Sequence, residues 1–250
     1  MELKEKVNYM KIGIFDSGLG GLTVLKTMLK KYPHNEYIYY GDTLNVPYGN
    51  KTKEELLKLA IDDIEFLVSK QVDMIIIACG TISSTHYQYL LTKYSLPIYD
   101  IISPTIKYLN QSSFKHIGII ATHNTISSHI FENSIDKEVF EIETPKLVPL
   151  IENNQLDNLD SILSEYLNPH KNNLDCLVLG CTHYPIILDN INKYFSNTIP
   201  IIDMSNYLFD NLTNNTKSKL TIYFSKITPM IISNTKRILN NDKINIKLSS

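Results

Sequence analysis

The chain has 250 residues, 43% of them apolar and 20% charged, with a formal net charge of −2. That length can bury a large core in one or two domains, and the composition is that of an ordinary globular protein. The near-neutral balance leaves no basic footprint, which argues against nucleic acid or an acidic membrane surface as the main partner.

Lys11-Ile12-Gly13-Ile14-Phe15 reads as a short buried strand, turned by Asp16-Ser17-Gly18-Leu19-Gly20-Gly21. The spacing of Leu22, Leu25, Met28 and Leu29 predicts a helix over 22–31. A second strand covers 37–40 and ends at Gly41-Asp42, before a loop with Pro47-Tyr48-Gly49. Residues 52–69 form a long amphipathic helix opened by a Thr52/Glu55 capping box. A strand over 73–78 leads to Cys79, a helix spans about 84–94, and 97–102 gives another short strand. Strands alternating with helices predict a parallel sheet covered on both faces, an α/β fold.

The pattern then recurs. Ile117-Gly118-Ile119 repeats Ile12-Gly13-Ile14 at an offset of 105 (117 − 12). Asp175 to Cys181 repeats Asp73 to Cys79 at 102 (175 − 73), and Pro200 to Asp203 repeats Pro97 to Asp100 at 103 (200 − 97). Three matches in one order predict two copies of one α/β unit. The expected division is 1–102 plus 208–250 for the first and 103–207 for the second, with the strand-like Leu220 to Phe224 returning to the first.

The most informative stretch is Leu177-Val178-Leu179-Gly180-Cys181-Thr182-His183-Tyr184-Pro185. An apolar strand drops into a thiol, a hydroxyl and an imidazole, at the sheet edge where open α/β sheets bind ligands. Met74 to Thr81 gives its partner, ending in Cys79-Gly80-Thr81. A buried cysteine is by default a small apolar filler, and Cys176, inside its strand, is read so. Cys79 and Cys181 differ, since each ends an apolar run and meets polar residues. A cysteine hydrolase needs one thiol, one base and an oxyanion hole. Two symmetrically placed thiols suit racemisation instead: one takes a proton from one face of a carbon and the other returns one to the opposite face.

Gly18-Leu19-Gly20-Gly21 falls short of a dinucleotide fingerprint because Thr23 holds the last glycine position. It is read as a helix N-terminus whose amides hold a small carboxylate. Asp16 is either a turn-former or a partner for an ammonium group or a thiol. Glu152, taken alone, reads as a helix start. The remaining histidines, His34, His86, His116, His123, His129 and His170, show no metal-ligand spacing, and no metal is expected. Three sparse cysteines without CxxC suit a reducing compartment. With no signal-peptide core or ~20-residue apolar run, the cytoplasm is the expected location.

Asp16-Ser17-Gly18, Pro47-Tyr48-Gly49, Ala78-Cys79-x-Thr81, Val148-Pro149-Leu150-Ile151-Glu152 and Gly180 to Pro185 occur in this order. With them the chain closely resembles the bacterial glutamate racemases of the aspartate/glutamate racemase superfamily, over nearly everything after Tyr9. The resemblance implies two pseudo-symmetric parallel-sheet (flavodoxin-like) α/β domains with the active site in the cleft between them. It implies glutamate as substrate, no cofactor, D-glutamate made for peptidoglycan, and compatibility with a homodimer. Carried over, Cys79 and Cys181 are the acid/base pair, with Asp16 assisting Cys79, His183 assisting Cys181, and Glu152 as a supporting carboxylate. Asp16, Ser17, Pro47, Tyr48, Gly49, Gly80, Thr81, Thr182 and His183 become substrate contacts. Two positions depart from the family pattern: Gly80 where Asn is usual, and Thr144 where Cys is common. The first removes a polar side chain, so Gly80→Asn is expected to improve glutamate affinity or rate. A racemase of aspartate or another amino acid, and a weakly active amino-acid-binding homologue, are the alternatives.

Overall fold

A computed structural model describes residues 10–212 and 218–249. The first half gives β1 (Lys11–Asp16), α1 (Leu22–Lys31), β2 (Glu36–Gly41), α2 (Lys53–Ser69), β3 (Met74–Ile77), α3 (Gly80–Thr85), α4 (Tyr87–Lys93) and β4 (Ile98–Asp100). After α5 (Ile102–Gln111) come β5 (His116–Ala121), α6 (His123–Ser127), α7 (Ile130–Ser134), β6 (Glu138–Glu143), α8 (Leu147–Glu152) and α9 (Leu159–Leu167). Then follow β7 (Cys176–Leu179), α10 (Leu188–Tyr194), β8 (Ile201–Asp203), β9 (Lys219–Phe224), α11 (Pro229–Leu239) and β10 (Ile246–Leu248).

The strands form two parallel sheets, ordered β10-β9-β2-β1-β3-β4 and β6-β5-β7-β8. Within them the order β2-β1-β3-β4 is reproduced as β6-β5-β7-β8, which is the α/β fold expected from the repeat. The register repeats as well: Gly13 pairs with Ile75 and Gly118 with Leu177, while Ile75 pairs with Ile98 and Leu177 with Ile201. Even single hydrogen bonds recur. Ala78 N–H donates to Phe15 O at 2.9 Å, and Gly180 N–H to Ile120 O at 2.8 Å. Asp73 accepts from Lys11 N–H at 2.6 Å and Asp175 from His116 N–H at 2.9 Å, so each carboxylate closes the start of a strand pair.

Continuous apolar runs make these strands, because a parallel sheet is buried on both faces. Ile75, Ile76 and Ile77 are fully buried, as are Cys176, Leu177 and Val178. The Thr52 capping box forms as read, each partner bonding the other's backbone, a device worth ~1 kcal/mol. The helix expected over 84–94 is instead two pieces, α3 and α4, broken at His86, which leaves helical geometry with φ −129°. Helix starts immediately after Cys79, so Gly80 and Thr81 sit in the first turn of α3. Among the described residues no helix is long and apolar enough to cross a membrane.

Candidate active site

β3 and β7 are equivalent central strands, and each releases its cysteine two residues past its last paired position. Cys79 and Cys181 thereby line one small cavity, together with Ser17, Pro47, Tyr48, Gly49, Gly80, Thr81, Thr182 and His183. Both thiols are nearly buried, at 3% and 7% exposed. The two strand ends abut directly, since a Cβ at Gly80 would lie 2.7 Å from the Gly180 carbonyl oxygen and 3.9 Å from Cys181 Cα.

The surroundings of the two sulfurs differ. Cys79 Sγ is 3.8 Å from Ser17 Oγ, the thiol donating. Burial, followed by the nearby Asp16 carboxylate, pushes the Cys79 thiol up to about 12, so it stays protonated near neutrality. Cys181 Sγ lies 3.6 Å from His183 Nδ1, and His183 Nε2 is 2.6 Å from Glu152 Oε1. Burial works against a charged imidazole, but the hydrogen bonds to Cys181 and Glu152 outweigh it and hold His183 protonated well above its ordinary range. Burial likewise works against the Glu152 carboxylate, and the His183 hydrogen bond wins there too, holding it below the usual range. The result is a relay, carboxylate to imidazolium to sulfur.

Four expectations need correction. The Gly18–Gly21 turn does not keep all its amides for a substrate carboxylate. Gly18 N–H donates to Asp16 Oδ2 at 3.0 Å and Leu19 N–H to Glu152 Oε1 at 3.1 Å, so the protein's own carboxylates bind the turn that leads into α1. Gly20 is required for this closeness, because a Cβ there would sit 2.5 Å from both Thr182 Oγ1 and His183 Nδ1. Asp16, expected to touch substrate, is fully buried and outside the cavity lining. It reaches the cavity through Thr182, whose hydroxyl donates to Asp16 Oδ1 at 3.1 Å. Glu152 is the last residue of α8 rather than the start of a helix, and it backs His183 from outside the lining. Fourthly, Gly80→Asn would drive a side chain into the Gly180 backbone, so restoring the family residue alone is expected to impair the site rather than improve it.

Tyr48 lines the cavity, but its hydroxyl turns away to Asp42 Oδ2 at 2.7 Å and Asp63 Oδ2 at 3.0 Å. Thr144 also lines the cavity and spends its hydroxyl on Tyr184, at 2.5 Å, and Ala121 O. Sequence reading missed several wall residues: Val46, Asn50, Thr122, His123, Pro145 and Val148. Of these, Thr122 was legible through the repeat, where it stands at the place of Ser17 (17 + 105). It meets Thr81 across the lobes at 3.1 Å between hydroxyls. Asp63 was legible too, as an acid on the apolar stripe of α2 beside Leu56, Ala60, Ile64 and Leu67. Outside the cavity, among the described residues, the fold assembles a cluster that spacing did not reveal. His129 Nδ1 lies 2.9 Å from Glu132 and 3.4 Å from Glu141, a set whose donor atoms could also hold a metal ion.

The Asp/Glu/Hydantoin racemase family profile matches residues 24–209. A glutamate racemase of Aquifex pyrophilus is 35% identical over 93% of this chain and 95% of its own length. One from Fusobacterium nucleatum is 43% identical over 73% of each chain. The crystal structure of a Francisella tularensis glutamate racemase in complex with D-glutamate superposes with a TM-score of 0.84 at 29% identity, covering 96% of this chain and 97% of that one. With the repeat, the two sheets and the paired cysteines in agreement, the chain belongs to the Asp/Glu/hydantoin racemase family and, within it, to the glutamate racemases.

Proposed function

We propose that this member of the glutamate racemase family interconverts L- and D-glutamate by passing the Cα proton between Cys79 and Cys181. The observation that carries the reading is a single cavity lined by both thiols, one held protonated and the other facing an imidazolium. Cα–H is weakly acidic, so the pair must hold one sulfur as thiolate and one as thiol. The His183 Nδ1 contact at 3.6 Å supports reading Cys181 as the base, with Cys79 as the acid that delivers its proton to the opposite face. In the reverse direction the roles exchange. Charge developing on the substrate's carboxylate and α-carbon would be met by the hydroxyls of Ser17 and Thr81 around the cavity. The closed cavity would exclude water and hold Cα between the sulfurs.

The division into residues 1–102 with 208–250 and 103–207, a cytoplasmic location, a homodimeric assembly and delivery of D-glutamate to peptidoglycan belong to the same reading. The test is circular dichroism of the purified protein with L-glutamate and no added cofactor, run in D2O. The signal decays to zero and deuterium enters Cα. Binding without deuterium incorporation, or faster turnover of aspartate, overturns the reading.

A further inference from the structure

Tyr48 Oη has one hydrogen and two carboxylate neighbours, Asp42 Oδ2 at 2.7 Å and Asp63 Oδ2 at 3.0 Å. Both contacts are hydrogen bonds only if a carboxyl supplies the second hydrogen. Asp42 is surrounded by other donors: Asn45 Nδ2 at 2.9 Å and Ser225 Oγ at 2.6 Å. Its oxygens already accept from both groups, so it is the natural acceptor of the Tyr48 hydrogen as well. Asp63 is 1% exposed and, among the described residues, makes its hydrogen bond to Tyr48. Burial, then the charge of Asp42, hold its carboxyl well above the usual range. The order of donation is therefore Asp63 O–H to Tyr48 O, and Tyr48 O–H to Asp42.

We propose that Asp63 is a positioning residue of this site: its carboxyl O–H and the Asp42 carboxylate hold Tyr48 from either side and fix the Val46–Gly49 wall of the cavity. The proposal rests on the cavity being the substrate site. Val46, Pro47, Tyr48 and Gly49 all line that cavity, on a loop that carries no regular secondary structure of its own. The phenol is the anchor that ties this loop to the interior of α2. Across the lobes the same loop is met by Asn124, whose Nδ2 donates to Tyr48 O at 3.2 Å and Lys51 O at 2.9 Å. A slack anchor would let the wall drift from both its lobes, so the loss should fall on substrate positioning.

The experiment compares Asp63→Asn, which keeps a neutral donor, with Asp63→Leu, which keeps the volume and removes the donor. Asp63→Leu is expected to lower kcat/KM about 10- to 100-fold, with KM raised. Asp63→Asn rescues it to within about threefold. The infrared difference between the parent protein and Asp63→Asn contains the carbonyl stretch of a protonated carboxyl. This band reads the proton without turnover, so its absence overturns the assignment whether or not glutamate is the substrate. An Asp63→Asn variant as impaired as Asp63→Leu at equal melting temperature also overturns it, as does an unimpaired Asp63→Leu. Should Asp63→Leu fail to fold, Tyr48→Phe removes the same contact from the other side. Adding Asp63→Asn to it then costs nothing further, and an additive loss sinks the proposal.

Discussion

Cys79 and Cys181 occupy one place in two copies of the same unit, yet their neighbours are chemically opposite. The end of β1 carries Asp16, whereas the equivalent end of β5 is Ala121 (16 + 105). Two residues past Cys181 stands His183, whereas the matching residue past Cys79 is Thr81 (183 − 102). A carboxylate lies near one sulfur and an imidazolium at 3.6 Å from the other. Repetition of the backbone brings the sulfurs to one cavity, and divergence of these flanking side chains gives each sulfur different surroundings, on which the proposed division into acid and base rests. Two identical sites could not hold two different protonation states without spending energy on the asymmetry.

The strongest way to break this comparison is to remove either sulfur. Cys79→Ala and Cys181→Ala should each lower racemisation by about 10²- to 10⁴-fold, the usual span for one general acid or base. Single-turnover exchange separates them: Cys181→Ala should lose deuterium incorporation starting from the enantiomer that Cys181 deprotonates, and Cys79→Ala from the other. A variant retaining full turnover would dismiss its sulfur from the chemistry.

The second test acts on the Cys181 side alone. Glu152→Ala leaves a buried imidazolium without its carboxylate, which costs roughly 3–5 kcal/mol. The contribution has a defined pH window. Glu152 is held below 4.5, so its share is present above that value and lost as pH falls through the lower folded pKa. His183 is held above 6.5, so its share is complete below that value and lost as pH rises through the raised folded pKa. Melting temperature against pH should therefore show the parent protein's advantage over Glu152→Ala greatest between these two values and shrinking on either side.

Gly80 tests the meeting of the copies. Gly80→Ala places a Cβ 2.7 Å from the Gly180 carbonyl, a backbone atom that cannot swing aside. About 1–3 kcal/mol of destabilisation is expected in chemical denaturation, with activity falling as the two sulfurs are pushed apart. A neutral or stabilising result would show that the two strand ends have room to separate. The mildest change addresses the Cys79 side. Asp16→Asn removes the charge that helps hold this thiol up, so the alkaline limb of the rate profile should move to lower pH. An unmoved limb would leave burial alone as the cause.

Several features of this arrangement were legible before any coordinates. Apolar runs ending in Cys79 and Cys181, and three repeats near one offset, sufficed to place both thiols at sheet edges, because strand burial is a local pattern. The capping box of α2 is local as well. Glu152 was not readable in this way, since its role depends on α8 lying against the Gly18–Gly21 turn and His183, 31 residues further along the chain. Asp16 was legible as a turn-former, which its bond from Gly18 N–H shows, but its bond from Thr182 depended on how the lobes close. Gly80 was misread as a lost contact because its value lies in what it lets approach.

The sequence by itself determined the alternation of strands and helices, the duplication, and which residue types carry the chemistry, because burial periods and motif spacings are written along the chain. Only the tertiary structure decided which carboxylate serves which partner, which glycines are forced by contact, and that Tyr48 faces two acids with one hydrogen. These depend on distances between residues far apart in the chain, and on the loss of water that makes each buried charge answer to its nearest neighbour.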